Sequence, residues 1–336
     1  MADVVIGVAC SHSPQLSSGA DVWSDHLERD RHNPLLLGKD YEFHSYDELL
    51  AQADPALAKE IDIEVRRARY DRCQDALAVL RAELGEARPD VAVVMGDDQR
   101  ELFRDEGIPT FALFLGKELM DRPPPPEVMS RYPSSIRAAM WAMHSTEPTP
   151  HPAAAGLSRH LADELTHADF DITAFTTQRD DRSIGHAFTF PRYRLGLPAT
   201  TPIAPVFVNT YYPPNVPSAP RCYQLGQVIG RAVVSWPEPL RVAIIATGGL
   251  SHFVIDTELD QRVLDALRTN EHDSLTSLPR QQFRSGTSEI LNWIMAAGVL
   301  DGAGALAHLT ATVVDYVSGY RTPAGTGTGM AFVYWR

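Results

Sequence analysis

The stretch RPDVAVVMGDDQ, residues 88–99, decides how the chain folds. Pro89 and Asp90 interrupt whatever precedes them, five apolar residues run from Val91 to Met95, and Gly96-Asp97-Asp98 ends the run. A strand apolar at every position belongs to a sheet covered on both faces. The same pattern recurs at Val4–Val8, Thr110–Phe114, Ile172–Phe175, Pro205–Val208 and Val242–Ala246. Between these runs lie helical patterns: Ile61–Leu84, closed by Gly85; Pro152–Leu165, with Leu157, Leu161 and Leu165 on one face; Cys222–Val234; and Leu259–Leu267. Strands alternating with helices predict an α/β layered fold, one sheet with helices on both faces. No linker, repeat or biased segment divides residues 1–336, so the expectation is a single catalytic domain.

Two stretches break the alternation. Residues 121–133 contain four consecutive prolines, Pro123 to Pro126, and read as an exposed loop. Residues 176–201 carry Asp180, Asp181, His186 and several aromatics with little periodicity, the kind of long irregular segment that is often functional.

Composition narrows the function. With 336 residues, 44% of them hydrophobic, the chain can bury a large core without disulfides or structural metals. Its three cysteines, Cys10, Cys73 and Cys222, form no metal-type pair, which suits a reducing compartment. The opening MADVVIGVAC has no basic leader and no apolar run is long enough to span a bilayer, so the expected location is cytoplasmic. A net charge of −13 repels phosphate backbones and anionic membranes, which excludes neither small substrates nor enzymes but disfavours nucleic acid and membrane partners. It also means that an acidic substrate needs basic groups close at hand.

Open α/β sheets place their sites just beyond strand ends. Three such places carry metal-capable residues: Ser11-His12-Ser13-Pro14, Gly96-Asp97-Asp98-Gln99, and Thr247-Gly248-Gly249-Leu250-Ser251-His252 with Glu258 shortly after. The irregular stretch adds Gly185-His186-Ala187-Phe188. Each has an ordinary explanation taken singly. A lone loop histidine is usually solvated, Gly-Asp-Asp commonly turns a strand into a helix, and Gly248-Gly249 is a sharp bend. Ser251-His252 lacks the Gly-x-Ser-x-Gly elbow of a hydrolase.

Taken in order, these pieces resemble the LigB-like (class III) family of extradiol ring-cleaving dioxygenases, which includes protocatechuate, gallate and 3-O-methylgallate dioxygenases. The matching pieces are SHSP (11–14), RPDVAVVMGDDQ (88–99), GHAF (185–188), NTYYPP (209–214), RCYQLG (221–226), TGGLSH (247–252) and GTGMAF (327–332). The Gly-Asp-Asp-Gln and Gly-Thr-Gly pieces are closest in flavour to the 3-O-methylgallate branch. The resemblance implies Fe(2+) held by two histidines and one glutamate, with positions left open for a catecholate and O₂. It maps the first histidine onto His12 and the glutamate onto Glu258. The second histidine falls on Gln99, a neutral and poorer ligand. Gln99 then ligates through oxygen, or Asp98 or His44 completes the set, or the metal site is degraded. A retained site with Gln99 and Asp98 nearest is the expectation; His44 is more simply a solvated loop residue.

The resemblance also makes His186 the acid/base group that takes the diol protons and returns one later, a task suited to an imidazole. His151, expected at the start of a helix with Pro152 in its first turn, matches a second active-site histidine, with plain helix initiation as the alternative. His252 is expected to brace the metal ligands, or to pack beside Phe253. Tyr211, Tyr212 and Arg221 are candidates for the substrate pocket, the last two also explicable as a turn residue and a helix cap. The expected partners are a small aromatic substrate, O₂ and a second copy in a homodimer. Two other readings stand beside the dioxygenase: a metal-dependent hydrolase or lyase on the same scaffold, motivated by Gln99, and a non-catalytic subunit. Manganese or zinc would also suit a mixed N/O site.

Overall fold

The computed structural model describes all of residues 1–336. Every strand expected from the apolar runs is present: Asp3–Cys10, Val91–Asp97, Phe111–Phe114, Thr173–Phe175, Ile203–Val208 and Arg241–Thr247. Ala311–Tyr320 and Gly327–Trp335 complete an eight-stranded sheet. Its centre is parallel, with Asp3–Cys10 beside Arg241–Thr247, then Val91–Asp97, then Ile203–Val208. Phe111–Phe114 joins Ile203–Val208 antiparallel, and Gly327–Trp335 joins the first strand antiparallel.

Alternate residues along each central strand feed two separate cores. Val91, Val93 and Met95 point into one, with Val242, Ile244 and Ala246; Ala92 and Val94 point into the other, with Ala243 and Ile245. This period of two is why an uninterrupted apolar run is needed. The first core is closed by helices Ala155–His167, Ala219–Ser235, Thr257–Thr269 and Ile290–Gly302. The second is closed by Ile63–Ala87, which turns Cys73, Leu77, Leu80 and Leu84 inward, and by His186–Tyr193. The predicted α/β layering with helices on both faces is the observed architecture.

Local differences have physical causes. The long helix does not stop at Gly85 but runs to Ala87, where Arg88 takes a left-handed φ of 44°. His151 and Pro152 are not helical: they lie in the strand Thr149–Pro152, paired antiparallel with Glu118–Asp121, and the helix begins at Ala155. The irregular 176–201 stretch contains the helix His186–Tyr193. The helix Ile290–Gly302 was not expected, because its run ILNWIMAAGVL is apolar all round and carries no amphipathic period. It packs on Ala219–Ser235 through reciprocal glycines. A Cβ on Gly226 or Gly230 would strike the backbone of residues 295–303, and one on Gly298 or Gly302 would strike that of Tyr223 or Gln227. No helix is long and apolar enough to cross a membrane.

Candidate functional site

Three adjacent parallel strands end on the same side of the sheet, and their successors converge. His12 follows the first strand, Asp97 ends the second and Gly248-Gly249 follows the third. The fourth contributor is Glu289, the residue before helix Ile290–Gly302. Two hydrogen bonds fasten the head of that helix to the strand end: Asn292 Nδ2 donates to the Thr247 carbonyl (2.9 Å) and Trp293 Nε1 to that of Gly248 (3.0 Å). Gly248 has a φ of 141°, and a Cβ there would press on Glu289. The bend thus has a task beyond turning, since the Gly249 N–H donates to Glu289 Oε2 at 2.6 Å.

Ligand atoms of His12, Asp97 and Glu289 lie within 4.8 Å of one another, and all three residues are buried. His12 Nε2 is 3.4 Å from Glu289 Oε2, and neither imidazole nitrogen of His12 has a hydrogen-bond partner. Burial, then the Glu289 charge, pushes the Asp97 carboxyl up to about 6. Burial would raise Glu289 as well, but the imidazoles of His252 and His12 hold it well below its ordinary range. Two carboxylates forced together beside an unpartnered buried imidazole fit a divalent cation: it would neutralise the repulsion and give His12 a partner.

Gln99 belongs to this cluster. Its Nε2 donates to Asp97 Oδ2 and to Glu289 Oε1, both at 3.2 Å, so the amide spans the two carboxylates from the position where the resemblance implies a histidine. Tyr211 donates its hydroxyl to Glu289 Oε1 at 3.0 Å. His252 places Nε2 3.4 Å from the same oxygen and bonds the Leu250 carbonyl through Nδ1 at 2.8 Å.

Other expected residues stand elsewhere. Glu258 is exposed in the first turn of Thr257–Thr269 and is not a member of the cluster; the carboxylate beside His12 is Glu289, thirty-one positions further on. Asp98 is turned away, accepting the backbone N–H groups of Leu102 (2.8 Å) and Phe103 (3.0 Å). His44 pairs with Asp40 at 2.9 Å in the small Leu36-Leu37/Phe43-His44 ribbon. Tyr212 stacks under Arg100 and Arg221 lies 3.7 Å over the Phe170 ring, with neither lining the cavity described next.

A cavity of about 770 Å³ opens over the cluster, bordered by His12, Gln99, His186, Tyr211, His252 and Glu289 and, opposite, by the proline run Pro123–Pro125. The His186 ring centroid is 4.6 Å from that of His12. Its Nδ1 is 2.7 Å from Glu101 Oε1, which also accepts the His186 backbone N–H at 3.0 Å. That pairing leaves Nε2 as the nitrogen free to face a ligand. Burial opposes the charged imidazole, but the Glu101 carboxylate outweighs it and raises His186 to about 9. Burial likewise opposes the Glu101 anion, and His186 brings it down to about 2.

Behind this pair, His144 places Nε2 3.7 Å from Glu101 and Nδ1 2.8 Å from Asp121. Burial works against the Asp121 anion, yet hydrogen bonds from His144, His151 and Tyr193 hold it below the usual carboxylate range. His151, expected against the substrate, instead lies behind Asp121 at 3.7 Å, and His144 borders the cavity. Sequence reading missed Asp97 as a cluster member, and Glu289, Glu101, His144 and Asp121 entirely. Glu289 had one available signal, a lone acid at the head of an eleven-residue apolar run.

The chain spans about half the length of the curated relatives it matches. Gallate dioxygenase of Pseudomonas putida is 35% identical over 161 residues, covering 44% of this chain and 45% of that protein. The 2,3-dihydroxyphenylpropionate/2,3-dihydroxicinnamic acid 1,2-dioxygenase of Comamonas testosteroni is 27% identical over 177 residues, covering 53% and 47%. A family model described as the catalytic LigB subunit of aromatic ring-opening dioxygenase matches residues 135–330, a span that includes His144, His186, His252 and Glu289. With well over half its length matched, the chain belongs to that LigB family.

Proposed function

We propose that the chain is an Fe(II)-dependent extradiol dioxygenase that opens the ring of a catechol- or gallate-type aromatic with O₂. One observation carries the reading: His12, Asp97 and Glu289 meet at one spot, beside an imidazole with a free nitrogen, in a cavity large enough for a substituted benzene ring. His12, Asp97 and Glu289 would hold the ion, with the Gln99 amide next to it, in place of the two histidines and one glutamate that the resemblance implies. The ion would supply electron transfer to O₂, which side chains cannot.

The remaining tasks fall to the protein. His186 Nε2 takes a proton from a ring hydroxyl and later returns it, and Glu101 fixes its tautomer and orientation. A cation beside His186 lowers its proton affinity again toward neutrality, where such a group works best. Tyr211 and His252 hold Glu289 in place. Pro123–Pro125 and Phe253 give the cavity apolar walls that limit water.

A second reading is favoured by the oxygen-rich donor set, which also suits a Lewis-acid hydrolase or lyase. Oxygen consumption decides between them. The protein reconstituted with Fe(II) should take up one O₂ per diol consumed and yield a ring-opened, visibly absorbing product. Turnover of an aromatic under strict anaerobiosis, or no uptake across a panel of catechols and gallates, rejects the dioxygenase.

A further inference from the structure

The apolar wall that begins at Pro123 continues along the chain. Between the paired strands Glu118–Asp121 and Thr149–Pro152 the backbone makes a long excursion over the cavity. Every residue from 123 to 143 that borders the cavity is uncharged: four prolines, Val128, Tyr132, Ile136, Met140 and Met143. Arg122 and His144 mark the two ends of this wall.

The fold makes little use of these side chains. Val128, Tyr132, Ile136 and Met143 are half-buried and Met140 is buried, yet none of them joins a hydrophobic core. Polar contacts hold the segment instead. The Arg122 N–H donates to Ser183 Oγ (2.9 Å), Trp141 Nε1 to the Ser17 carbonyl (2.9 Å) and the Ser145 N–H to Asp121 Oδ2 (2.7 Å). Thr189, three residues along the helix from His186, donates its hydroxyl to the Met143 carbonyl at 2.6 Å, which fastens the wall to the helix of the acid/base imidazole. Apolar side chains kept out of the cores and turned to a cavity are surface that a ligand can cover.

Size and chemistry say what covers it. An apolar space of roughly 150 Å³ holds one benzene ring. The cavity, at about 770 Å³, is several times larger and continuous with the metal-ligand cluster. Methionine sulfurs pack favourably against ring edges and a tyrosine ring against another ring, whereas no side chain of this wall carries a charge for an ionic group. We infer that the substrate carries an uncharged second aromatic ring, which this wall binds while the diol ring lies at the His12–Asp97–Glu289 cluster, so that two-ring diols are taken in preference to single-ring ones. The placement of the diol ring rests on the ring-opening reading. The second-ring site rests on the cavity wall alone. Burying a phenyl ring corresponds to about tenfold to hundredfold in affinity.

The test compares catechol with 3-phenylcatechol and 4-phenylcatechol, which add one ring at either position open to it. Binding to the Fe(II)-loaded full chain is followed by titration calorimetry without oxygen. At least one phenylcatechol should bind wild type about tenfold or more tighter than catechol. Val128→Trp fills the second-ring site and Ile136→Asn makes it polar, so either should bring the ratio of the two affinities to within about threefold of one. No tenfold gain for either isomer in wild type, or a ratio that persists in both variants, overturns the inference. Both side chains lie outside the cores, and circular dichroism checks that the variants are folded. Since no oxygen is present, the result is independent of ring opening: a preserved preference without oxygen uptake would reject the dioxygenase and leave the second-ring site standing.

Discussion

Two regions of the molecule reach the same few ångströms by different routes. His12, Asp97 and Gly249 arrive from the carboxyl ends of three neighbouring parallel strands, whereas Glu289 arrives from the head of a helix buried in the first core. The strand ends are fixed by backbone ladders that any apolar sequence of the right length would form. Glu289 is fixed by individual side-chain contacts, the Asn292 and Trp293 bonds to residues 247 and 248 and the N–H of Gly249. The sheet supplies position, and the helix supplies the charge that completes the site.

The sharpest break of that comparison is Glu289→Ala against Glu258→Ala. The first should abolish metal retention and lower activity by more than the ~100-fold typical of removing an outer partner of a ligand. The second changes an exposed residue outside the cluster and should alter neither. Metal content by mass spectrometry and oxygen uptake measure both. Equal losses in the two variants would return the ligand role to Glu258.

Glu101→Gln tests the wall opposite the cluster. In metal-free protein the His186 imidazole should titrate near 9 in wild type and fall toward its ordinary 6.5 or lower in the variant, because burial then acts without the carboxylate. Nitrogen NMR of the ring reads this directly. The sign for stability follows: the folded state binds the proton more tightly, so the contribution is complete below about pH 6.5 and is lost as pH rises through about 9. A smaller kcat, by about 10- to 100-fold, accompanies the loss of tautomer control.

The contrast also explains what the sequence could disclose. The parallel strands were legible because a doubly covered strand has to be apolar throughout, and a polar residue straight after one is conspicuous. His12 and the 96–99 segment were found that way. Glu289 was not, since an all-apolar helix has no period, and the nearest glutamate after the Thr247-Gly248-Gly249 turn, Glu258, stood in for it. Within 96–99, whether Asp97 or Asp98 joins His12 and Glu289 depends on which carboxylate the Leu102 and Phe103 N–H groups claim. The His186–Glu101–His144–Asp121 series draws on four separate segments, so no local pattern announces it. His151 was placed in a helix because Pro152 resembles a first-turn proline; pairing with Glu118–Asp121 took it into a strand instead.

The helix that carries Glu289 offers the smallest and most controlled comparison, between two glycines in helices on opposite faces of the sheet. Gly298 sits where Ile290–Gly302 touches Ala219–Ser235, and a methyl group there meets the Tyr223 carbonyl, a backbone atom that cannot swing aside. Gly298→Ala should therefore destabilise by about 1–3 kcal/mol in urea unfolding, as overpacked cores do. Gly85 lies exposed in Ile63–Ala87 with nothing within 4 Å of an added Cβ. There the same substitution only removes freedom from the unfolded chain, and Gly85→Ala should stabilise by about 0.5–1 kcal/mol. If both variants shifted stability in the same direction, helix propensity rather than close approach would set the value of these glycines. The seating of Glu289 would then owe less to the contact between the two helices than to the Asn292 and Trp293 bonds at its own end.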